Sequence, residues 1–418
     1  MLSSQSEQES IAAIKELGGH VFVQDDGGVS VLHVGGARFT NSSFALLKCI
    51  DSLRILNLSF ADITDEGLVN LGGLTSLEQL ELPAAITDAG LRHIAGLTNL
   101  KVLNIWGTKV TDVGLVHLRH MKWMKTLRLP NFISDVGLDL LKEMKHLKDL
   151  DLPNASVTDN GLVCLNAMTD MSCLILRSSK ISDAGLVHFS EMSKLNYLNL
   201  NSTQVTDAGL QSLKELPSLE TLDFARTNVG DLGLKCLVEM RQLKSLNLRE
   251  TQVGDAGLKY LPGLTDLEQV DLSETNVTDA GLIHLKRMRK LSELRLNNTQ
   301  VSGLAHLDVL TNLKLLEISN TDVTDDGLKR IEVMTELGWL NLWGTKISDS
   351  GLQNLSGLKS LSRLDIGFTG ISDAGLPHLM QLNNLYELVL DYTQVSEEGF
   401  AELRTIIPNC NILWGGSC

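Results

Sequence analysis

A six-residue motif recurs at nearly constant spacing along most of the chain. The motif is Val/Ile-Thr/Ser-Asp-x-Gly-Leu, and successive copies mostly lie 24 residues apart. A fixed period of this length is typical of architectures in which each unit buries an apolar stripe against its neighbours. The glycine position of the motif is filled by glycine at 67, 90, 114, 137, 161, 185, 209, 233, 257, 281, 303, 327, 351, 375 and 399.

Each copy is followed by a leucine pattern that alternates with a period of two, as in Leu195-Asn-Tyr-Leu198-Asn-Leu200. This alternation predicts a short strand. A threonine usually follows the strand, and its hydroxyl group can bond to the backbone where the chain turns. These threonines are Thr108, Thr203, Thr227, Thr251, Thr275, Thr299, Thr321, Thr345, Thr369 and Thr393.

The Thr/Ser-Asp pair of the motif predicts an N-cap and a first-turn carboxylate that faces the positive end of a short helix. Strands and helices then alternate, which predicts an α/β solenoid with a parallel sheet on the concave face and short helices on the convex face. The spacing places 15 strand units from Asn57 to Val389. A further strand at each end, at His33 and at residues 412–414, brings the total to 17.

The ends of the chain are predicted to be caps. We expect an N-terminal cap at residues 1–36, made of a helix and a hairpin whose turn lies at 25–28, repeats at 37–399 and a C-terminal cap at 400–418. Together they are expected to form one continuous domain. The repeat around Gly303 is shortened to 22 residues and has no aspartate, so its helix should lose a turn or its cap and the joint should be softer.

The repeat resembles the leucine-rich repeat family over about residues 37–414. It is most similar to the cysteine-containing subclass of F-box ubiquitin-ligase subunits and of many bacterial proteins, with threonine where the ladder asparagine or cysteine stands in that subclass. The resemblance implies a horseshoe-shaped solenoid. It also implies, as one alternative, a substrate-recognition role in a ubiquitin-ligase-like complex.

Charge narrows the classes of partner. The 36 Lys+Arg and 51 Asp+Glu residues give a net charge of −15, which disfavours nucleic acid and anionic membranes as partners. The first residues lack the cationic and apolar stretches of a signal peptide, and no apolar run approaches 18 residues. We therefore expect a cytoplasmic protein. Its oligomeric state is left open.

Catalytic and cofactor-binding motifs are absent from the sequence. Six histidines share the Gly-Leu-x-His position, and two pairs of them lie in adjacent repeats, but a zinc site needs three or four ligands. We therefore predict no catalytic residues, no cofactor and no metal site. An enzyme with a site on the concave face is the weaker alternative, because an open sheet encloses little space.

The predicted concave face carries the strongest functional signal, since every cation there is an arginine and several large aromatics are exposed. Arginine and aromatic residues are what protein interfaces use as anchors. The alternatives are that the arginines pair with neighbouring acids and that the aromatics pack the last repeats. The candidate partner-binding residues are Trp106, Arg177, Tyr197, Arg226, Arg249, Arg295, Trp339, Trp343, Arg363, Phe368, Asp391 and Tyr392. The leading hypothesis is a non-catalytic module that binds a protein or peptide.

Overall fold

The computed structural model describes residues 5–23, 29–153 and 156–415. The chain divides into two compact units, Met1–Gln204 and Val205–Cys418. In both units short parallel strands alternate with short helical segments, which confirms the predicted α/β leucine-rich repeat architecture. The predicted turn at 25–28 lies outside the described residues.

The first unit begins with a helix, after which β1 and β2 pair antiparallel and β2 pairs in parallel with β3. Its described strands are β1 His20–Val23, β2 Val29–Thr40, β3 Ile55–Asp62, β4 Gln79–Glu81, β5 Val102–Asn104, β6 Thr126–Arg128, β7 Asp149–Asp151, β8 Cys173–Ile175 and β9 Tyr197–Asn199. Its α-helices are Gln5–Glu16, Asp65–Leu68, Asp88–Leu91, Asp112–Leu115 and Asp135–Asp139. Its 3-10 helices are Asn41–Cys49, Val69–Gly73, Arg92–Ile94, Val116–Leu118, Gly161–Ala167 and Gly185–Phe189.

The second unit continues the pattern with nine parallel strands among its described residues. They are β10 Thr221–Asp223, β11 Ser245–Asn247, β12 Gln269–Asp271, β13 Glu293–Arg295, β14 Leu315–Glu317, β15 Trp339–Asn341, β16 Arg363–Asp365, β17 Glu387–Val389 and β18 Asn411–Leu413. The α-helices are Asp231–Leu237, Asp255–Leu258, Asp279–Leu282, Asp325–Leu328, Asp349–Leu352 and Glu397–Ile406. The 3-10 helices are Gly209–Ser212, Leu261–Gly263, Leu285–Arg287, Leu307–Val309, Gln353–Leu355 and Asp373–Gln381.

The 17 predicted strands correspond to β2–β18, and the first strand of the hairpin adds β1. Each three-residue strand buries its central residue in the leucine core and leaves the two flanking side chains on the opposite face. The predicted strand centres, such as Asn104 and Asn247, are instead the last strand residues. The chain leaves the strand there because the Asn104 Oδ1 atom accepts a hydrogen bond from the Trp106 N–H at 3.0 Å.

The threonine prediction is confirmed at all ten positions. Each hydroxyl group donates to the carbonyl oxygen three residues earlier, as Thr108 does to Ile105 at 2.7 Å. These threonines are buried, so the bond satisfies a hydroxyl group that has no access to water. The turn after each strand is therefore stabilised within its own repeat.

The aspartate of the motif has a different role from the predicted one. Asp88 accepts hydrogen bonds from the N–H and the hydroxyl group of Thr111, both at 2.7 Å, one repeat further along the chain. The four-residue helix Asp88–Leu91 offers only a weak dipole, whereas these two donors are partly buried and have a full hydrogen-bonding requirement. The same two bonds recur in Asp65–Thr87, Asp112–Ser134, Asp135–Thr158, Asp159–Ser182, Asp255–Thr278, Asp279–Ser302, Asp325–Ser348, Asp349–Ser372 and Asp373–Ser396.

The repeat around Gly303 loses its first helical turn, as the sequence predicts. Leu304 and His306 have left-handed backbones, with φ of 50° and 75°, and the helical segment begins only at Leu307. Because this repeat has no aspartate in the motif, it offers no such carboxylate to Thr324 in the following repeat.

Candidate functional site

The exposed side of the sheet is called the strand face here. It consists of the strand side chains that point away from the leucine core and the turn residues that follow each strand. In β15, β16 and β17 the residues Trp339, Arg363 and Glu387 stand directly beside one another in register. The parallel ladder therefore places side chains from consecutive repeats in contact.

Arg363 connects two aromatic rings at the amino ends of these strands. Its guanidinium group lies 5.5 Å from the centre of the Trp339 ring and 5.2 Å from that of Tyr386, and its Nε–H donates to the Tyr386 hydroxyl group. Glu387 Oε2 is 3.9 Å from the same Nε atom. The contact between Trp339 and Arg363 follows the sequence prediction. Tyr386 was not predicted, although it lies next to the strand position that pairs with Arg363.

Trp343, Phe368 and Tyr392 form an aromatic triad at the carboxyl ends of β15–β17. The ring centres of Trp343 and Phe368 are 6.4 Å apart, those of Trp343 and Tyr392 are 6.0 Å apart, and those of Phe368 and Tyr392 are 6.4 Å apart. A Cβ atom added at Gly367 would collide with the Trp343 ring, so the absence of a side chain there lets the indole lie flat. Phe368 and Tyr392 remain 61% and 56% exposed.

The backbone beneath this triad is unusual. Phe368 and Tyr392 have φ of 53° and 57°, the left-handed region that large side chains rarely occupy. Other repeats have small, polar or charged residues at this turn position, or glycine: Gly107, Ser178, Ser202, Arg226, Glu250, Glu274, Asn298, Asn320 and Gly344. The turn itself therefore does not require an aromatic residue.

Carboxylates accompany the triad. Asp365 accepts a hydrogen bond from the Gly367 N–H at 3.1 Å, and the Phe368 N–H donates to the Asp391 carbonyl oxygen at 2.8 Å. Burial raises the pKa of Asp365, the Gly367 N–H lowers it in part, and the charges of Asp391 and Glu387 raise it further. The triad thus stands beside a concentration of negative charge.

The other predicted arginines of the second unit are paired with acids. Arg226 Nε lies 2.6 Å from Glu250, and Arg249 Nη2 lies 2.5 Å from Glu274. Arg295 contacts two carboxylates, Glu293 at 3.1 Å and Glu317 at 3.6 Å. The pairing that the sequence left open as an alternative is therefore present, and a role of these arginines in partner binding stays a prediction.

Three predicted residues belong to the first unit. Trp106 is 55% exposed in the turn after β5, Arg177 is exposed after β8, and Tyr197 is half-buried in β9. Among the described residues, none of the three makes a ring contact of the kind seen in the triad. Their role in binding also stays a prediction.

Asp151, at the end of β7, has a buried Oδ1 atom without a hydrogen-bond partner. In other repeats the residue at this position accepts the N–H two residues later, but here that residue is Pro153, which has none. Burial raises the pKa of the Asp151 carboxyl group, and the charges of Arg177 and Arg128 lower it in part.

The described residues offer little to catalysis. No three histidine, cysteine, aspartate or glutamate side chains among them could hold a metal ion together. Burial raises the pKa of the Cys164 thiol to about 12 and those of Cys173 and Cys410 to about 11, so these thiols are poor nucleophiles at neutral pH. Within this part of the chain, no helix combines the length and apolarity needed to cross a bilayer.

The comparisons with known proteins agree with this architecture. A sequence profile described as "Leucine-rich repeat region" matches residues 170–407, more than half of the chain, and a second, described as "Leucine Rich repeat", matches residues 52–72. No protein of curated function matches the sequence.

Solved structures with the same fold share little sequence with the chain. A leucine-rich repeat protein of Leptospira interrogans is 20% identical, with a TM-score of 0.62 over 82% of this chain and 91% of its own. The ectodomain of the Arabidopsis receptor kinase HAESA, solved with an IDA peptide hormone ligand, is 16% identical, with a TM-score of 0.60 over 100% of this chain and 78% of its own. The Arabidopsis GASSHO1/SCHENGEN3 receptor kinase ectodomain, in complex with CASPARIAN STRIP INTEGRITY FACTOR 2, is 17% identical, with a TM-score of 0.53 over 95% and 57%.

Proposed function

This chain belongs to the leucine-rich repeat family, and we propose that it is a non-catalytic module that binds a protein or peptide on its strand face. The proposed site centres on the aromatic triad of Trp343, Phe368 and Tyr392. The Arg363 stack with Trp339 and Tyr386 lies on the same three repeats and would form a second contact region. The ubiquitin-ligase alternative and the cytoplasmic location stay predictions from the sequence.

The left-handed backbone of Phe368 and Tyr392 carries the proposal. A large side chain in this conformation costs roughly 1–2 kcal/mol, and the same turn is made elsewhere by asparagine, serine or glycine. The two rings are also more than half exposed, so burial of their own surface does not fully offset this cost. A binding role gives a reason for keeping aromatic residues there.

The chemistry of the site favours a particular kind of side chain in the partner. Trp and Tyr faces attract ammonium and guanidinium groups, and the carboxylates of Asp365 and Asp391 add to the attraction. We therefore expect the partner to present an arginine or lysine next to an apolar residue. The similar HAESA ectodomain was solved with a peptide ligand, which supports a peptide as one form of partner.

Selection from a displayed library of random peptides tests this proposal. The wild-type protein should enrich peptides that pair a basic residue with an apolar one. Replacing Phe368→Asn should weaken the binding of a selected peptide by about 30-fold, equivalent to about 2 kcal/mol, as expected for an interface hot spot. The melting temperature should hold or rise, because asparagine already fills the same left-handed position at Asn298 and Asn320.

Phe60 provides a matched control. It also stands four residues after a central strand leucine, is 82% exposed and has no aromatic ring neighbour among the described residues. Phe60→Asn should leave peptide affinity unchanged. Equal affinity of wild type and Phe368→Asn, together with a lower melting temperature for Phe368→Asn, would show that the triad only packs the last repeats.

A further inference from the structure

A ladder of lysines lies in the first unit, at the amino ends of the strands. Lys101, Lys125 and Lys148 each come directly before a strand, β5, β6 and β7. The Lys125 N–H donates to the Lys101 carbonyl oxygen at 2.7 Å, and the Lys148 N–H donates to the Lys125 carbonyl oxygen at 2.8 Å. The three side chains therefore start from neighbouring positions on adjacent strands.

Only one of these lysines has its charge paired within the described residues. Lys101 Nζ lies 2.5 Å from Glu78, whereas Lys125 and Lys148 are exposed and form no ion pair with any carboxylate in the described ranges. Two like charges side by side on adjacent strands repel each other. An arrangement that leaves both unpaired is suited to an anion from outside.

An aromatic plate adjoins the lysines. The rings of Trp123 and His146 stack with centres 5.1 Å apart and an angle of 7° between their planes, and Trp123 is 62% exposed. Asp170 anchors the far side, because its carboxylate contacts His146 Nδ1 at 3.4 Å and Lys194 Nζ at 2.5 Å. Together these groups line a recess of about 330 Å³, bounded by Lys101, Trp123, Lys125, His146, Lys148 and Asp170.

We propose that this lysine recess binds an acidic segment of a protein partner, with carboxylates on Lys125 and Lys148 and an apolar side chain on the plate formed by Trp123 and His146. Residues 101–148 hold nine Lys and Arg against four Asp and Glu, although the whole chain has a net charge of −15. Charge complementarity of this kind sets the sign of the partner and speeds association.

The dimensions favour a short peptide segment over nucleic acid. Three adjacent strands span only about 10 Å between the outer backbones, which matches two or three residues of an extended chain. A nucleic acid would extend beyond the recess onto a protein with a large excess of negative charge, where repulsion would oppose it. The exposed Trp123 ring also offers an apolar contact for a hydrophobic residue between the acids.

Fluorescence anisotropy with a fluorescein-labelled peptide of alternating glutamate and phenylalanine tests the proposal. The wild-type protein should bind the peptide at low salt and more weakly as salt is raised, because exposed charges are screened. The double variant Lys125→Glu with Lys148→Glu should lose at least about tenfold in affinity. Lys125→Gln with Lys148→Gln should lose less, and gives the same test without new repulsion.

The control pair is Lys314→Glu with Lys359→Glu. Lys314 occupies the same place before β14 as Lys125 does before β6, both control lysines are exposed, and the change in net charge is identical. This variant should bind the peptide as the wild type does. Phe368→Asn should also leave this binding unchanged, which separates the lysine recess from the aromatic triad.

Trp123→Ala tests the aromatic plate. It should weaken binding of the glutamate–phenylalanine peptide and leave binding of a matched glutamate–glycine peptide unchanged. The proposal fails if no peptide binds at low salt, if both double glutamate variants lose affinity equally, or if a single-stranded oligonucleotide of equal charge binds more tightly. Melting curves of all variants should match the wild type, since the altered side chains are exposed.

Discussion

The carboxylate of Asp325 accepts hydrogen bonds from the backbone N–H and the hydroxyl group of Ser348, at 2.8 and 2.6 Å, one repeat further along the chain. Ser350 also donates to this carboxylate at 2.5 Å. Burial raises the pKa of Asp325, but the bonds from Ser348 and Ser350 outweigh this effect and lower the pKa overall. The motif that defines the repeat is therefore also the joint between repeats.

Removing this carboxylate should destabilise the second unit. Asp325→Ala leaves the partly buried N–H and hydroxyl group of Ser348 without an acceptor, which should cost about 1–3 kcal/mol in the free energy of unfolding. Asp326→Ala is the matched control in the same helix, because Asp326 is exposed and forms only a surface ion pair with Lys329. Chemical denaturation of both variants checks the difference, and equal losses would contradict the role of the joint.

The destabilisation by Asp325→Ala should also depend on pH. The folded carboxyl group has a pKa below its ordinary value, so its stabilising contribution is present above the ordinary Asp pKa of about 3.9 and is lost as pH falls through the folded pKa. Denaturation midpoints of wild type and variant should therefore converge under acidic conditions. A difference that stayed constant from neutral to strongly acidic pH would count against a charged joint.

Gly351 should not tolerate a side chain. A Cβ atom at this position would collide with Oδ1 of Asp325, although the backbone of Gly351 has an ordinary conformation. Gly351→Ala should cost about 1–3 kcal/mol, as expected for overpacking. Gly96→Ala is the control, since a Cβ atom there would meet no neighbour within 4 Å. The comparison is made by thermal unfolding, and an unchanged Gly351→Ala protein would show that the aspartate moves freely.

Asp151→Asn should stabilise the protein at neutral pH. The folded pKa of Asp151 is raised, so the cost of burying its charge is absent below the ordinary Asp pKa of about 3.9 and develops as pH rises to and beyond the folded pKa. The melting temperature of the variant should exceed that of the wild type at pH 7, and the gain should vanish under strongly acidic conditions. A loss of stability at pH 7 would mean that attraction to Arg177 and Arg128 dominates. Asp308→Asn, at an exposed aspartate, controls for the change in net charge.

The joint after Gly303 should open more readily than its neighbours. The Ser302 N–H donates to Asp279 at 3.0 Å, but Thr324 in the next repeat has no corresponding aspartate in the preceding repeat. Amide hydrogen exchange should therefore be faster at Thr324 than at Ser302 or Ser348, by about tenfold or more. Equal protection at the three amides would show that packing of the leucines holds this joint without the carboxylate.

The sequence by itself determined the features that depend on contacts within one repeat. Leucine spacing predicts the strands and the buried core, and the bond from Thr108 to the carbonyl oxygen three residues earlier is local, so it could be inferred from spacing. The aromatic character of the region around Trp343 was also visible, because exposed positions on a strand alternate with buried ones.

Only the tertiary structure decided how side chains of neighbouring repeats meet. The period places Arg249 and Glu274 in adjacent repeats, but the rotamers that join them depend on every surrounding group. The left-handed backbone of Phe368 and the stacking of Trp123 on His146 likewise arise between repeats. Periodicity specifies which positions are adjacent, whereas packing and desolvation decide which contacts form, and the candidate binding surfaces depend on those contacts.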